Sequence, residues 1–255
     1  MKVTLMSDLH LEFDRVEKPF HAGEGEVLVL AGDICTSVDL QSGGDVGKMY
    51  EQFFADCVKN YDKVFYTAGN HESYDGVLSE TDGILRTIPG VTYLQNQFEV
   101  YNDWLFVGST LWTDFNKFDF EKMSLAVEGM NDYRIIYNDS SPINPLTTHT
   151  IHQDSVNYLS QAISTSPHNV FVFTHHAPSI RSVENSTRSG SQMYSYASDL
   201  EDLIRANNNI KYWAHGHIHE TQNYMIDQCN VISNPRGYNG YELNPGFNKF
   251  TTFTL

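Results

Sequence analysis

An α/β fold is what this sequence predicts, and three observations predict it. Apolar runs of strand length recur along the chain, amphipathic helix-like segments stand between them, and no fixed-period repeat, low-complexity tract or Pro/Gly/Ser-rich linker interrupts the alternation. The runs are VTLMS at 3–7, EVLVLAG at 26–32, KVFYTAG at 63–69, WLFVGST at 104–110, NVFVFTH at 169–175 and IKYWAHG at 210–216. Several are rich in Val, Phe and Tyr and almost continuously apolar, the pattern of strands covered on both faces. The segment 45–60, DVGKMYEQFFADCVKN, is an amphipathic helix candidate. A second is 147–164, where Ile151, Ser155, Tyr158, Leu159 and Ala162 fall near helical spacing. The stretch 112–145 is less regular: WTDFNKFDF carries Trp112, Phe115, Phe118 and Phe120, and NDYRIIYND follows. It reads as a surface excursion lining a pocket, its aromatics a satellite core rather than a platform for stacking bases. One domain over 1–255 is the expectation.

Composition excludes several function classes. With 40% hydrophobic and 13% aromatic residues in 255, the chain has ample material for a buried core. No apolar stretch reaches membrane-spanning length, and the run before Asp8 is too short for a signal peptide, so a soluble, cytoplasmic protein without a membrane partner is expected. Cys35, Cys57 and Cys229 are widely spaced and form no CxxC, which disfavours a disulfide framework or a cysteine zinc site. The formal charge of -16, from 32 acids against 16 Lys and Arg, repels polyphosphate backbones and argues against a long nucleic acid as partner.

The polar groups that follow the apolar runs carry the chemistry. VTLMS leads into Asp8-Leu9-His10, EVLVLAG into Asp33, KVFYTAG into Asn70-His71-Glu72, NVFVFT into His175-His176, and IKYWAHG into His217-Ile218-His219. Ligands of open α/β sheets bind beyond the carboxyl ends of the strands, so these five groups can converge although distant in sequence. If the chain stays extended there, residues i and i+2 face one side, and Asp8 with His10, like His217 with His219, would aim two donors at one place. Carboxylate, imidazole and amide oxygen suit divalent ions such as Mn2+, Fe2+ or Zn2+. Seven donors exceed the needs of one tetrahedral ion, whereas two ions sharing Asp33 would use them well. Ordinary turn chemistry, which also favours Asp, Asn and Gly where strands end, is the competing explanation.

At these residues the sequence resembles the calcineurin-like metallophosphoesterase superfamily, whose ordered signature is D-x-H, G-D, G-N-H-[DE], a lone H and G-H-x-H. The resemblance implies a four-layer αββα sandwich of two mixed β-sheets flanked by helices, with two divalent metal ions at one edge. By motif position, Asp8, His10 and His219 would bind one ion, Asn70, His175 and His217 the other, and Asp33 both. His71 would not be a ligand but would lie near the leaving group, and Glu72 would orient its surroundings. His176 is expected beside the ligand His175. Hydroxide generated at the metal pair would then attack phosphorus.

Some branches fit poorly. Thr36 stands where purple acid phosphatases carry a tyrosine, GDICTS lacks the G-D-x-x-D-R-G block of the Ser/Thr protein phosphatases, and GNHE departs from the G-N-R-D form of lipid A precursor hydrolases. A phosphodiesterase for small or nucleotide-like esters remains, using Mn2+, Fe2+, Zn2+ or Ni2+. A phosphomonoesterase, a nuclease and a non-catalytic metal-binding scaffold are the alternatives. Arg236, in the Gly-rich SNPRGYNGYE, is a fork for phosphate oxygens or a salt-bridge partner, and Asn131 and Arg134 raise the same possibility more faintly. His215 reads as a hydrogen-bonded structural residue. His149 and His152, one turn apart, read as a solvated or packed helix face.

Overall fold

In the computed structural model, which describes residues 1–184 and 186–255, two β-sheets stack face to face with helices outside each. The first sheet runs, in spatial order, Thr252–Thr254, Lys2–Met6, Gly25–Ala31, Tyr61–Thr67 and Thr92–Tyr93. The second runs Gln222–Ile226, Cys229–Ser233, Ile210–His215, Asn169–Thr174, Trp104–Ser109 and Gln97–Tyr101. All six apolar runs of the sequence are strands. Within each sheet they pair in parallel, so their carboxyl ends come out along one edge.

Alternation along these strands builds the layers. Val27, Val29 and Ala31 join Phe65 on the inner face, where they meet Phe106, Phe171 and Phe173 of the second sheet. Their neighbours Leu28, Leu30, Val64 and Tyr66 face outward onto Met49, Tyr50, Phe53, Phe54 and Cys57 of the helix Asp45–Asn60. On the other side Val170, Val172 and Trp213 face Leu159 and Ile163 of the helix Pro145–Thr165. A strand buried on both faces must be apolar at odd and even positions alike, which explains the continuous runs. Phe65 and Phe106 stack between the sheets at 4.4 Å, and burying each such ring contributes about 2–3 kcal/mol. Asn144 caps the helix Pro145–Thr165 by accepting from the amides of Leu146 and Thr147.

Of the strands the sequence did not reveal, Thr92–Tyr93, Thr252–Thr254, Gln97–Tyr101 and Gln222–Ile226 are sheet edges, whereas Cys229–Ser233 lies inside the second sheet. Gln97–Tyr101 is mostly exposed, and Gln222–Ile226 alternates, so neither shows a continuous apolar run. The stretch 112–145 forms short helices around its own apolar cluster, with Trp112, Phe115, Met123 and Tyr133 packed against Ala177, Val183 and Ile218. Trp112 and Phe115 are buried as expected. Phe118 and Phe120 are not part of that core: they lie edge to face at the surface, 39% and 70% exposed. Among the described residues, no helix is long and apolar enough to cross a membrane, and the three cysteines are buried free thiols.

Candidate metal centre

Each predicted donor sits on a turn just beyond a strand, and five of these donors are left-handed: φ is 50° at Asp8, 46° at His10, 55° at Asp33, 68° at His217 and 61° at His219. Such a conformation costs a non-glycine residue roughly 1–3 kcal/mol and persists only where its surroundings enforce it. Here they do. The amides of Asp8, His10 and Leu11 donate to the carbonyls of Gly32, Asp33 and Ile34, which laces the first two turns together. The extended geometry expected for the Asp8/His10 and His217/His219 pairs is therefore wrong, since their strands end at Met6 and His215. Asp8 and His10 still converge, together with His219, whereas His217 and His219 part: His217 joins Asp33 and His175 instead. Glycine is required alongside: a Cβ on Gly69 would overlap Asp33 Oδ1, and one on Gly216 would stand 2.5 Å from Asp8 Oδ2.

The donors form two groups. In the first, His10 Nε2 is 3.1 Å from His219 Nε2, which is 3.4 Å from Asp8 Oδ1. In the second, His175 Nε2 is 3.0 Å from Asn70 Oδ1 and 3.2 Å from Asp33 Oδ2, and His217 lies within reach of the same space. Asp33 Oδ2 is also 3.7 Å from His10 Nε2, so one carboxylate oxygen faces both groups. Two ligands of one ion at 2.0–2.2 Å stand about 3.0–3.5 Å apart, the spacing found here. Asp8 Oδ2 and His217 Nε2 are buried without a hydrogen-bond partner, a deficit of about 1–3 kcal/mol each that coordination would remove. The residues fit a pair of divalent cations.

Electrostatics agree with that fit. Burial would raise the Asp8 and Asp33 carboxyls, but the surrounding imidazoles, His219 for Asp8 and His175 for Asp33, hold both below the usual range, Asp33 well below. Burial pushes His175 down, yet Asp33 and Asp8 lift it to about 10. Burial, then the neighbouring imidazoles, keep His10 and His217 below their ordinary value, leaving neutral rings with a lone pair to offer. Two ionised carboxylates in an interior this dry call for nearby positive charge.

His71 lies at the rim, 6% exposed. Its amide donates to Asp33 Oδ1, its ring stacks on Tyr74 at 3.9 Å, its Nδ1 is 2.8 Å from Glu12 Oε1, and its Nε2 is 3.3 Å from the Tyr238 hydroxyl. It is also close enough to His10 and Asp33 to hold an ion with them, but both its ring nitrogens face protein partners. Burial lowers His71, while Asp33 and Glu12 raise it to about 9. Glu72 binds the turns together: its carboxylate accepts from the amides of Asp33, Ile34 and Gly69 and from the Tyr66 hydroxyl. Burial and the nearby Asp33 push it up to about 7. His176 packs beside the cluster, ring to ring with His217 at 4.3 Å, its Nδ1 on the Thr110 carbonyl.

Sequence reasoning missed Glu12 and Asp132. Glu12 Oε1 meets both His10 and His71, and Asp132 Oδ1 accepts from Asn70 Nδ2 and the Tyr74 hydroxyl at 2.8 Å each. The signal for Glu12 was an acid two residues past D-x-H. Nothing in sequence ties Asp132 to Asn70, 62 positions away.

Arg236 is not free to grip a phosphate. Its guanidinium makes a two-pronged pair with Asp14, 2.8 and 3.0 Å, and donates to the Leu9 carbonyl, fixing the 8–14 turn from behind. With the Asp14 side chain 1% exposed, Arg236→Met would leave a buried carboxylate without its counter-charge and with the Asn239 amide as its remaining side-chain donor, and we expect a loss of about 3 kcal/mol in chemical denaturation. Arg134 turns away onto the Glu128 carbonyl, whereas Asn131 lines the cleft beside His71. His215 bonds Ser182 and the Gly216 carbonyl, and His149 and His152 are buried on the packed face of their helix, the structural placements expected.

The calcineurin-like phosphoesterase family model matches residues 1–221, which contain all seven donors. An uncharacterized protein of Acanthamoeba polyphaga mimivirus is 27% identical over 264 residues, covering 91% of this chain and 90% of its own. Among solved structures, a phosphopantetheinyl hydrolase (PptH) from Mycobacterium tuberculosis superposes with a TM-score of 0.72 at 14% identity, over 93% of this chain and 89% of that one. TT1561 of Thermus thermophilus does so with a TM-score of 0.50 at 11% identity, over 92% and 88%. At these identities the two structures speak for the fold, and the family match carries the assignment. This chain belongs to the calcineurin-like phosphoesterase family and is a phosphoric ester hydrolase.

Proposed function

We propose that the protein hydrolyses small or nucleotide-like phosphodiesters with two divalent cations. Asp8, His10 and His219 would hold one, Asn70, His175 and His217 the other, and Asp33 both. The observation that carries this reading is Asp33 Oδ2 standing between the two donor groups, 3.2 Å from His175 Nε2 and 3.7 Å from His10 Nε2. When bound, such a pair supplies Lewis acidity, polarising phosphoryl oxygens and lowering the pKa of water. The chain supplies the rest. Glu12 accepts a hydrogen bond from His71 Nδ1, which leaves Nε2 to carry a proton to the departing oxygen, while Tyr74 stacks on the ring and keeps it from turning. Glu72 holds the Asp33 and Gly69 turns at their mutual distance.

The cleft beside His71 supports a diester as substrate. It encloses about 510 Å³, walled by Phe13, Tyr74, Ile135, Tyr238 and Tyr241, with Glu12, Asp39 and Asp75 among its polar residues. None of its described lining residues is Lys or Arg. A monoester dianion would meet those three acids with only the His71 imidazolium among the described lining residues to offset them. A diester carries one charge and a second organic group for the aromatic walls to cover.

Metal reconstitution tests this directly. Protein stripped by chelator and restored with Mn2+, Fe2+, Zn2+ or Ni2+ should regain hydrolysis of bis(para-nitrophenyl) phosphate in preference to para-nitrophenyl phosphate. Cyclic nucleotides and a pantetheine-bearing diester, the latter prompted by the name of the Mycobacterium tuberculosis neighbour, complete the panel. Turnover indifferent to chelation, or a preference for the monoester, would overturn the proposal.

A further inference from the structure

The DLHLEF turn places one carboxylate oxygen against two imidazoles. Glu12 Oε1 lies 3.0 Å from His10 Nδ1 and 2.8 Å from His71 Nδ1, and the two rings meet edge to face with centroids 4.3 Å apart. A carboxylate oxygen has two lone pairs, and here each faces a ring nitrogen, so each ring must carry its hydrogen on Nδ1. The opposite tautomer of His10 would set a nitrogen lone pair against an oxygen lone pair at 3.0 Å with the ring fully buried. With hydrogen on Nδ1, the lone pair of His10 is at Nε2, the atom facing His219 Nε2 and Asp33 Oδ2.

The arm that presents Glu12 is held rigidly. Left-handed His10, φ 46° and ψ 56°, starts the short 3-10 turn Leu11–Phe13. The amides of His10 and Leu11 donate to the Asp33 and Ile34 carbonyls, and Arg236 clamps Asp14 beyond it. The Glu12 side chain is 15% exposed, so its charge is poorly screened and its hydrogen bonds are strong.

We propose that Glu12 is a positioning residue that fixes the tautomer of His10 and the ring orientation of His10 and His71 together, through one shared oxygen. Carboxylate support of this kind raises the basicity of the far ring nitrogen and is worth about 10–100-fold in metal affinity or activity. The His10 half concerns the donor group alone; the His71 half rests on the proposed reaction.

Two measurements separate these halves. In the full-length wild-type protein loaded with Zn2+ and labelled with 15N-histidine, His10 and His71 should both appear as Nδ1–H rings, and Glu12→Gln should weaken Zn2+ binding by about 10–100-fold. A wild-type His10 protonated on Nε2, or Zn2+ affinity unchanged in Glu12→Gln, overturns the proposal. The wild-type spectrum needs no variant, so a substitution that fails to fold does not protect the idea. For the His71 half, Glu12→Gln and His71→Ala should each slow hydrolysis of an alkyl diester more than of a para-nitrophenyl diester, because only the poor leaving group needs the proton. At saturating metal, where the His10 half no longer limits the rate, the two combined should cost little more than His71→Ala alone. Fully additive losses overturn that half. A protein without diesterase activity would refute the reaction instead, with the ring spectra and Zn2+ affinity still deciding the role of Glu12 toward His10.

Discussion

Asp33→Asn is expected to abolish turnover, with kcat/KM falling by more than about 10³-fold, beyond the roughly 10–100-fold that loss of a supporting residue costs. The reason is its position. Asp33 Oδ2 faces both donor groups and Oδ1 accepts the His71 amide, so one side chain serves both halves of the site. The amide keeps the shape and removes the charge. Asparagine would set at the Oδ2 position either a neutral oxygen, with its NH2 then against the His71 amide, or an NH2, which cannot coordinate. Elemental analysis of the purified variant should show the bound metal falling from two ions toward one or none. Folding should survive, since Asp33 lies on a turn and the Glu72 bonds go to backbone amides that the substitution leaves in place. Asp33→Asn with full metal content and wild-type rates would disprove the shared-ligand arrangement.

His71→Ala is expected to separate chemistry from metal binding. Its kcat on an alkyl phosphodiester should drop by about 10²–10⁴-fold, the usual contribution of a positioned acid or base, while metal content stays at the wild-type level. The geometry behind this is a ring engaged at both nitrogens, Nδ1 with Glu12 and Nε2 with Tyr238, at the mouth of an aromatic cleft. Leaving-group dependence is the discriminating measurement. A para-nitrophenolate departs without help, so its ester should lose less activity than an alkyl ester. If bound metal falls along with kcat, His71 is a ligand, and the triple it forms with His10 and Asp33 is the arrangement that operates.

The donors were legible because the chemistry needs rare residue types at strand ends, and strand ends can be read from where apolar runs stop. Helix Asp45–Asn60 was legible for a related reason: its apolar residues repeat at the helical period because one side faces the first sheet. Edge strands such as Gln97–Tyr101 were not, since a strand covered on one side or neither loses the continuous apolar signal. Arg236 shows the ambiguity of a single guanidinium, which pairs equally well with phosphate or carboxylate. Only the burial of Asp14 opposite it decided between them.

The order of D-x-H, G-D, G-N-H-E, His175 and G-H-x-H along the chain determined the family and singled out the seven side chains proposed as donors, because each motif couples a side chain to a turn that few sequences can make. Tertiary structure alone decided how the donors meet. The turns are left-handed rather than extended, which splits His217 from His219, and the lacing of neighbouring strand ends and the close approach allowed by Gly69 and Gly216 stabilise them. The same holds for the supports. Glu12 sits two residues past His10 but reaches His71 across 59 positions, Asp132 reaches Asn70 across 62, and hydrogen bonds over such long separations leave no local pattern in a sequence.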